Sequence, residues 1–124
     1  MNTKVRGIRG AISVEENTKE AIWKATRQLL LAMVQANQVS TDDIASIFFA
    51  ITKDLNQAFP ARAARQLGWH HVPLLDVQEA AAPDLPRIIR VMMHVNTSKS
   101  QDEIVHVYLG EAIKLRPDLA ESKQ

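Results

Sequence analysis

The sequence contains no cysteine, and this single absence excludes disulfides, thiolate metal sites and cysteine nucleophiles together. Charge of one sign is not in excess either, because 15 basic and 14 acidic residues leave a net charge of +1. That balance does not indicate a basic face for nucleic acid or for anionic lipid. We therefore expect no nucleic-acid partner.

Long apolar runs are also missing. The longest, over 29–34 and 47–51, fall far short of the roughly 20 residues that span a bilayer. The N-terminus, MNTKVRGIRG, lacks the apolar segment of a signal peptide. These observations predict a soluble, cytoplasmic protein with no membrane partner.

Common cofactor motifs are absent as well: the sequence has no phosphate-binding loop, no dinucleotide fingerprint and no HExxH metal helix. Its four histidines are His70, His71, His94 and His106. His70 and His71 adjoin on a predicted strand, so their side chains point to opposite faces and cannot share one metal ion. We predict packing or solvated histidines, no metal site and no cofactor.

What the sequence does contain is the pattern of one α+β domain over all 124 residues, of which 46% are hydrophobic. Alternation and helical periodicity predict a mixed β-sheet with one long and two short helices on one face. Strands are predicted over 5–14, 44–52, 69–77, 87–96 and 112–116, helices over 17–36, 59–68 and 100–110, and a mobile tail over 117–124. The other sheet face is left without cover, so we expect an oligomer.

Local signals set the predicted boundaries. Asn17 is the expected N-cap of the long helix, with Glu20 completing a capping box, and Ser100 with Glu103 forms a second such box. Pro60 suits the first position of the middle helix, which Gly68 would end. A proline at 73, inside the third predicted strand, favours an edge position or a bulge.

Arginines stand in unusual places. Arg90 interrupts an apolar strand, and an unpaired arginine is costly to bury there. It could lie at a sheet edge or pair with Glu79 or Asp76. Further arginines lie in the first strand, on one face of the middle helix and at the end of the last strand: Arg6, Arg9, Arg62, Arg65 and Arg116.

Arg62 and Arg65 alone would fit a solvated helix face. Taken together, the arginines indicate a cationic pocket for a small anion that carries carboxylates or phosphate, because guanidinium groups match such anions. Glu79 would accept from a ligand hydroxyl, and Tyr108 would supply a neutral donor. The residue types alone lead no further than a binder of a small polyanion.

Several segments resemble, in order, the bacterial monofunctional chorismate mutases of the trimeric, barrel-like class. They are VRGIRGA at 5–11, TKDLNQAFPARAARQLG at 52–68, VPL at 72–74, QE at 78–79, IRVMM at 89–93, HVYL at 106–109 and LRPDL at 115–119. The resemblance implies a homotrimeric pseudo-α/β-barrel with sites between subunits. It also implies the [3,3] rearrangement of chorismate to prephenate, on the route to phenylalanine and tyrosine, with no cofactor.

The resemblance assigns roles to individual residues. Arg90 would face the ether oxygen and the adjacent carboxylate, Arg9 and Tyr108 would bind the enolpyruvyl carboxylate, and Glu79 would accept from the ring hydroxyl. The remaining substrate-binding residues would be the apolar walls Phe59 and Leu115, the mouth residues Arg62, Arg65 and Arg116, the backbone of Leu75 and Asp76, and Ala61 and Leu74.

The sequence departs from its relatives at three places. The connection at 80–86 is shorter and lacks their glycines, Asp76 replaces a cysteine found in some, and Arg62 replaces a lysine of one relative. Two alternatives stay open: a trimeric enzyme like the reactive-imine deaminases, and a non-catalytic trimer that binds aromatic-pathway acids.

Overall fold

The computed structural model describes residues 2–80 and 85–115, which form a five-stranded mixed sheet under two α-helices. The elements are β1 (Lys4–Ser13), α1 (Lys19–Asn37), β2 (Ile44–Ile51), α2 (Ala61–Gln66), β3 (Leu74–Gln78), β4 (Ile88–Thr97) and β5 (Val107–Leu109). The strand order is β3-β2-β4-β1-β5. Strand β4 is antiparallel to both β1 and β2, whereas β1–β5 and β2–β3 are parallel. The predicted α+β class with a mixed sheet is confirmed.

Helix α1 covers one face of the sheet. Its fully buried side chains Ile22, Leu29 and Met33 recur with helical spacing and belong to the main core. The N-cap of the helix lies one residue later than predicted, since Thr18 occupies it and accepts from the amide of Ala21. The predicted cap, Asn17, instead bonds twice to Asn56.

Strand β4 alternates between the two sheet faces as the sequence predicted. Ile89, Val91 and Met93 are buried against the helices, whereas Arg90 and Met92 face the other way. That second face also carries exposed apolar side chains on its neighbours: Val5, Phe48, Leu75 and Val77. The expectation of an incompletely covered sheet face is therefore met within one chain.

The C-terminal part of the chain differs most from prediction. The capping box of Ser100 and Glu103 is present, but it opens only a 3₁₀ turn, Gln101–Glu103, and not the predicted helix over 100–110. The chain then pairs with β1, Gly10 opposite Val107, so strand pairing overrides the helical spacing.

The predicted last strand, 112–116, is also wrong over its described residues, since Gly110–Leu115 is 3₁₀-helical. Gly110 adopts a φ of 60°, and the next amide, of Glu111, donates to Ser13 Oγ at 2.9 Å. This turn folds the segment back over the sheet, where Ala112 packs on Ala11 and Ile88.

The third strand begins at Leu74, not at residue 69. Residues 69–73 form turns instead, so His70 and His71 do not lie on a strand and the predicted opposition of their side chains does not apply. Strand β3 lies at the sheet edge, as the proline at 73 favoured. In the described part of the chain, no helix combines the length and apolarity required to cross a membrane.

Candidate active site

A cavity of about 490 Å³ lies on the sheet face opposite α1. We call it the sheet cavity. Strands β1, β2, β4 and β5 and the 3₁₀ segment after β5 all contribute to its lining, which includes Arg9, Phe48, Arg90, Met92, Tyr108, Lys114 and Leu115. Its charged groups among the described lining residues are all cationic, so it suits a small anion with an apolar body.

Arg90 reaches this cavity because its strand neighbours are small. Its register partners are Ala50 on β2 and Ala11 on β1, which leave room for a long side chain between them. Arg90 Nε lies 3.1 Å from Glu79 Oε2, with the two side chains 40% and 19% exposed. The sequence left Glu79 and Asp76 open as partners for Arg90, and the structure selects Glu79.

Glu79 is positioned by the end of the parallel β2–β3 pair. It directly follows β3, and its amide donates to the carbonyl of Ile51 at 3.0 Å. This bond brings the Glu79 carboxylate beside the guanidinium of Arg90. An ion pair of this kind limits the rotation of a long side chain, so Arg90 is oriented before a ligand enters.

Arg9 and Tyr108 enter the same cavity from the parallel pair β1–β5. The amide of Arg9 donates to His106 Nδ1 at 2.9 Å, so this ring nitrogen carries no proton. This bond lies next to the Gly10–Val107 pair and extends the hydrogen bonding between β1 and the chain before β5 by one residue. Arg6, which the sequence grouped with Arg9, lies outside the lining and donates from Nε to the carbonyl of Lys99.

A second depression of about 500 Å³ lies between α1 and α2. We call it the α2 hollow. It is lined by Lys19, Trp23, Ile51, Phe59, Arg62 and Arg65, among others. Phe59 is 72% exposed, and Arg62 and Arg65 are exposed too, as a solvated helix face would have them. No described residue lines both the sheet cavity and the α2 hollow.

Strand β3 divides its side chains between the two faces of the sheet. Leu75 lies opposite Phe48, on the face of the sheet cavity, whereas Asp76 lies opposite the buried Phe49 and points towards α2. There Asp76 Oδ1 accepts from the amide of Ala61 at 3.0 Å. Leu74 packs against the main core.

The Asp76 carboxyl has a perturbed pKa. Burial raises the pKa above the ordinary value of 3.8, and the bond from the Ala61 amide and the charge of Arg65 act in the opposite direction. Asp76 therefore carries a desolvation cost that its neighbours only partly offset.

Outside strand β3, the predicted site residues that the structure describes fall into two groups. Arg9, Arg90, Tyr108 and Leu115 line the sheet cavity beside Glu79, whereas Phe59, Arg62 and Arg65 line the α2 hollow next to Ala61. Arg116, the connection at 81–84 and the tail at 117–124 lie outside the described residues.

The lining includes residues that were not predicted as site residues, among them Phe48, Met92 and Lys114 in the sheet cavity, and Lys19 and Trp23 in the α2 hollow. Met92 could have been found, because it stands two residues from Arg90 on an alternating strand. Lys114 gave no signal, because its segment was interpreted as a strand.

Comparison with known proteins identifies the family. Residues 5–119 match the family model described as chorismate mutase type I. Chorismate mutase AroH of Thermus thermophilus is 57% identical over 117 residues, which cover 93% of this chain and 96% of the relative. Chorismate mutase AroH of Bacillus subtilis (strain 168) is 44% identical over 121 residues, covering 96% and 95%.

A solved structure agrees with these sequence matches. The chorismate mutase from Clostridium thermocellum superposes with a TM-score of 0.84 at 48% identity, covering 86% of this chain and 96% of that one. The chain belongs to the chorismate mutase type I family.

Proposed function

We propose that this protein converts chorismate to prephenate in the biosynthesis of phenylalanine and tyrosine. The reaction is a unimolecular [3,3] shift in which an ether C–O bond breaks while a C–C bond forms. No proton transfer is needed in this step. The observation that carries the proposal is the Arg90–Glu79 pair in a cationic cavity, in a chain of this family.

Arg90 supplies the main electrostatic stabilisation in this mechanism. Negative charge builds on the ether oxygen as its bond to carbon stretches, so a cation fixed beside that oxygen stabilises the transition state more than the ground state. The Glu79 carboxylate at 3.1 Å orients the Arg90 guanidinium in advance. The protein then reorganises little during the reaction.

Arg9 and Tyr108 hold the enolpyruvyl carboxylate. Both line the sheet cavity with Arg90, and both stand on the hydrogen-bonded pair β1–β5. A guanidinium and a phenol that fix this carboxylate keep the flexible enolpyruvyl arm folded over the ring. This restriction lowers the conformational entropy that must be lost on reaching the transition state.

Glu79 has two tasks in this scheme. Besides orienting Arg90, it accepts from the ring hydroxyl, and its negative charge stabilises the positive character that develops in the ring. The backbone of Leu75 and Asp76 lies near the same hydroxyl. Leu115 forms an apolar wall of the sheet cavity, and Arg116 is assigned to its mouth.

The active form is a homotrimer in which two subunits build each site. One chain separates the sheet cavity from the α2 hollow, and no described residue lines both. If the α2 hollow of a neighbour covers the sheet cavity, Arg62 and Arg65 come to the ring carboxylate and Phe59 becomes an apolar wall. The exposed apolar face of the sheet supports such an assembly.

A trimer mass by light scattering at micromolar concentration tests this assembly, and a fully active monomer would contradict it. The single-domain organisation, the cytoplasmic location and the absence of a metal or cofactor stay predictions.

The activity is tested by adding purified protein to chorismate and following its ultraviolet absorbance, with the product identified as prephenate. An Arg90→Ala variant is the matched control. Binding of chorismate without turnover would favour the non-catalytic trimer, and ammonia release from an imino acid would favour a deaminase-like enzyme. Either result would overturn the proposal.

A further inference from the structure

Helix α2 carries two of the cations that the proposed function assigns to the ring carboxylate. The helix by itself, however, has few interactions that would hold these cations in a fixed position. It has only six residues, and its N-cap residue, Pro60, offers no side-chain hydrogen bond to its first turn. Arg62, Arg65 and Phe59 are all exposed. Short helices are marginal without outside contacts, so other parts of the chain must hold these side chains in place.

We propose that Trp23 and Asp76 are positioning residues that hold α2 from two sides and so preset Phe59, Arg62 and Arg65 for the substrate. This proposal rests on the proposed function. Nothing in the sequence pattern identifies Trp23 for this role. For Asp76, the family resemblance implies only a contact between its backbone and the substrate.

Trp23 holds the segment from the α1 side. Its indole Nε1 donates to the carbonyl of Phe59 at 3.2 Å, which fixes the backbone just before α2. Its ring lies under the guanidinium of Arg62, with Arg62 Cζ 5.4 Å from the ring centre. One side chain therefore restrains both the apolar wall and the first mouth arginine.

Asp76 holds the segment from the β3 side. Its Oδ1 accepts from the amide of Ala61, the first residue of α2, at 3.0 Å. The first amides of a helix have no partner within it, so this carboxylate takes the place of the missing cap. Asp76 also lies close enough to Arg65 for that cation to lower its pKa against the effect of burial.

The two contacts come from different elements and meet α2 at the same end. Strand β3 also leads directly into Glu79, so Asp76 links α2 to the segment that orients Arg90. In the proposed trimer, each subunit would thus present its α2 residues to the neighbouring sheet cavity in a fixed arrangement. Presetting them lowers the entropy lost on binding, so the loss of either contact should weaken substrate binding.

The Asp76 contact is tested with two variants that differ only in the acceptor. Asp76→Ala removes the acceptor, and we expect KM for chorismate to rise about two- to tenfold, the range for one lost hydrogen bond, with a smaller change in kcat. Asp76→Asn keeps an oxygen acceptor, and we expect it to recover most of that loss. An unchanged KM in Asp76→Ala, or no recovery in Asp76→Asn, would overturn the role of Asp76 as acceptor.

The Trp23 contact is tested in the same way. Trp23→Phe removes the N–H donor and keeps a ring under Arg62, whereas Trp23→Leu removes both. We expect KM to rise in that order. Trp69→Phe is the matched control, because Trp69 is a core residue outside the α2 hollow and its replacement should lower stability without raising KM. Equal KM increases in the control and in Trp23→Leu would show that Trp23 acts only through stability. They would overturn its proposed role as a positioning residue.

A substrate-free measurement separates this proposal from the proposed function and does not depend on any variant folding. Hydrogen exchange at the Ala61 amide, followed by NMR in the native protein, should be slow, because that amide is bonded to Asp76. Fast exchange there would overturn the proposed positioning of α2 by Asp76, even if the protein converts chorismate. Slow exchange in a protein that does not convert chorismate would overturn only the proposed function.

Discussion

The sheet cavity and the α2 hollow carry the same kind of charge on very different supports. Arg90 stands on a central strand with a hydrogen-bonded strand on each side, and Glu79 pairs with its Nε. Arg62 and Arg65 stand on a six-residue helix and are exposed to solvent. A preorganised cation stabilises a transition state only if it does not move, so the sheet is the better support for catalysis.

This difference leads to a division of roles between the two regions. A cation aimed at the breaking bond affects turnover, whereas cations on a carboxylate that does not react affect ground state and transition state alike. We therefore expect changes in the sheet cavity to lower kcat and changes in the α2 hollow to raise KM. The predictions below test this division, beginning with the largest expected effect.

The largest effect is expected at Arg90. Citrulline at this position keeps the shape and most donors but removes the charge, and we expect kcat to fall at least 100- to 1000-fold, roughly the loss for one preorganised donor. Arg90→Lys should recover only part, because one ammonium group cannot reproduce the fork of a guanidinium. The assay is steady-state turnover of chorismate by the folded protein.

The alternative for Arg90 is a purely structural ion pair with Glu79. In that case the citrulline protein would be less stable, and its folded fraction would keep near-native turnover. Light scattering and a melting curve on the same sample distinguish the two outcomes.

The next prediction tests whether the sheet cavity of one subunit and the α2 hollow of another form one site. An Arg90→Ala chain and an Arg65→Ala chain are each expected to form impaired trimers. If sites combine residues of two subunits, refolding them together at equal amounts should restore about one quarter of the sites, the share expected for random assembly of rings, when activity is measured at chorismate concentrations far below the KM of the Arg65→Ala protein. If each site lies within one chain, the mixture will be no more active than its parents.

The sequence predicts the sheet cavity better than the α2 hollow. Alternation along 87–96 separated Arg90 from the face of Ile89 and Val91, and the structure places two alanines at its register positions. The α2 hollow was beyond such patterns, because Trp23 contacts the backbone of Phe59 36 residues away. Spacing within one helix carries no information about a partner on another.

The C-terminal segment shows the opposite case, in which a local pattern was real but insufficient. Ser100 and Glu103 do form a capping box, and Ile104, Val107 and Tyr108 do have helical spacing. The edge of β1 nevertheless takes up Val107–Leu109 as a parallel strand. Tyr108 reaches the sheet cavity because of this pairing, which short periodic runs cannot predict.

A smaller effect is expected from pH, and it tests the sheet cavity alone. Because the rearrangement needs no proton transfer, kcat should be nearly constant from neutral pH upward and lack a bell-shaped profile. A Glu79→Gln variant should be slow throughout this range, because a neutral amide cannot form the ion pair with Arg90. Control of kcat by an ionisation at about pH 6.5, that of an ordinary histidine, would contradict the mechanism.

The smallest effect is expected on stability, and it concerns Asp76 beside the α2 hollow. Burial raises the pKa of this carboxyl above 3.8 in the folded protein. Between 3.8 and the raised value the folded state holds the proton more tightly than the unfolded state, so this group stabilises the fold less as pH rises through that window. At neutral pH its ionised form carries the full cost.

The Asn side chain of the Asp76→Asn variant cannot ionise. The free energy of unfolding of this variant, relative to that of the native protein, should therefore increase from acid to neutral pH. We expect a change under about 1 kcal/mol, because the Ala61 amide and Arg65 offset part of the burial cost. Denaturant unfolding of both proteins at about pH 4 and at neutral pH measures it. If the variant instead loses stability relative to the native protein as pH rises, attraction by Arg65 outweighs burial. The charge of Asp76 would then help to hold α2, and its role would extend beyond that of a hydrogen-bond acceptor.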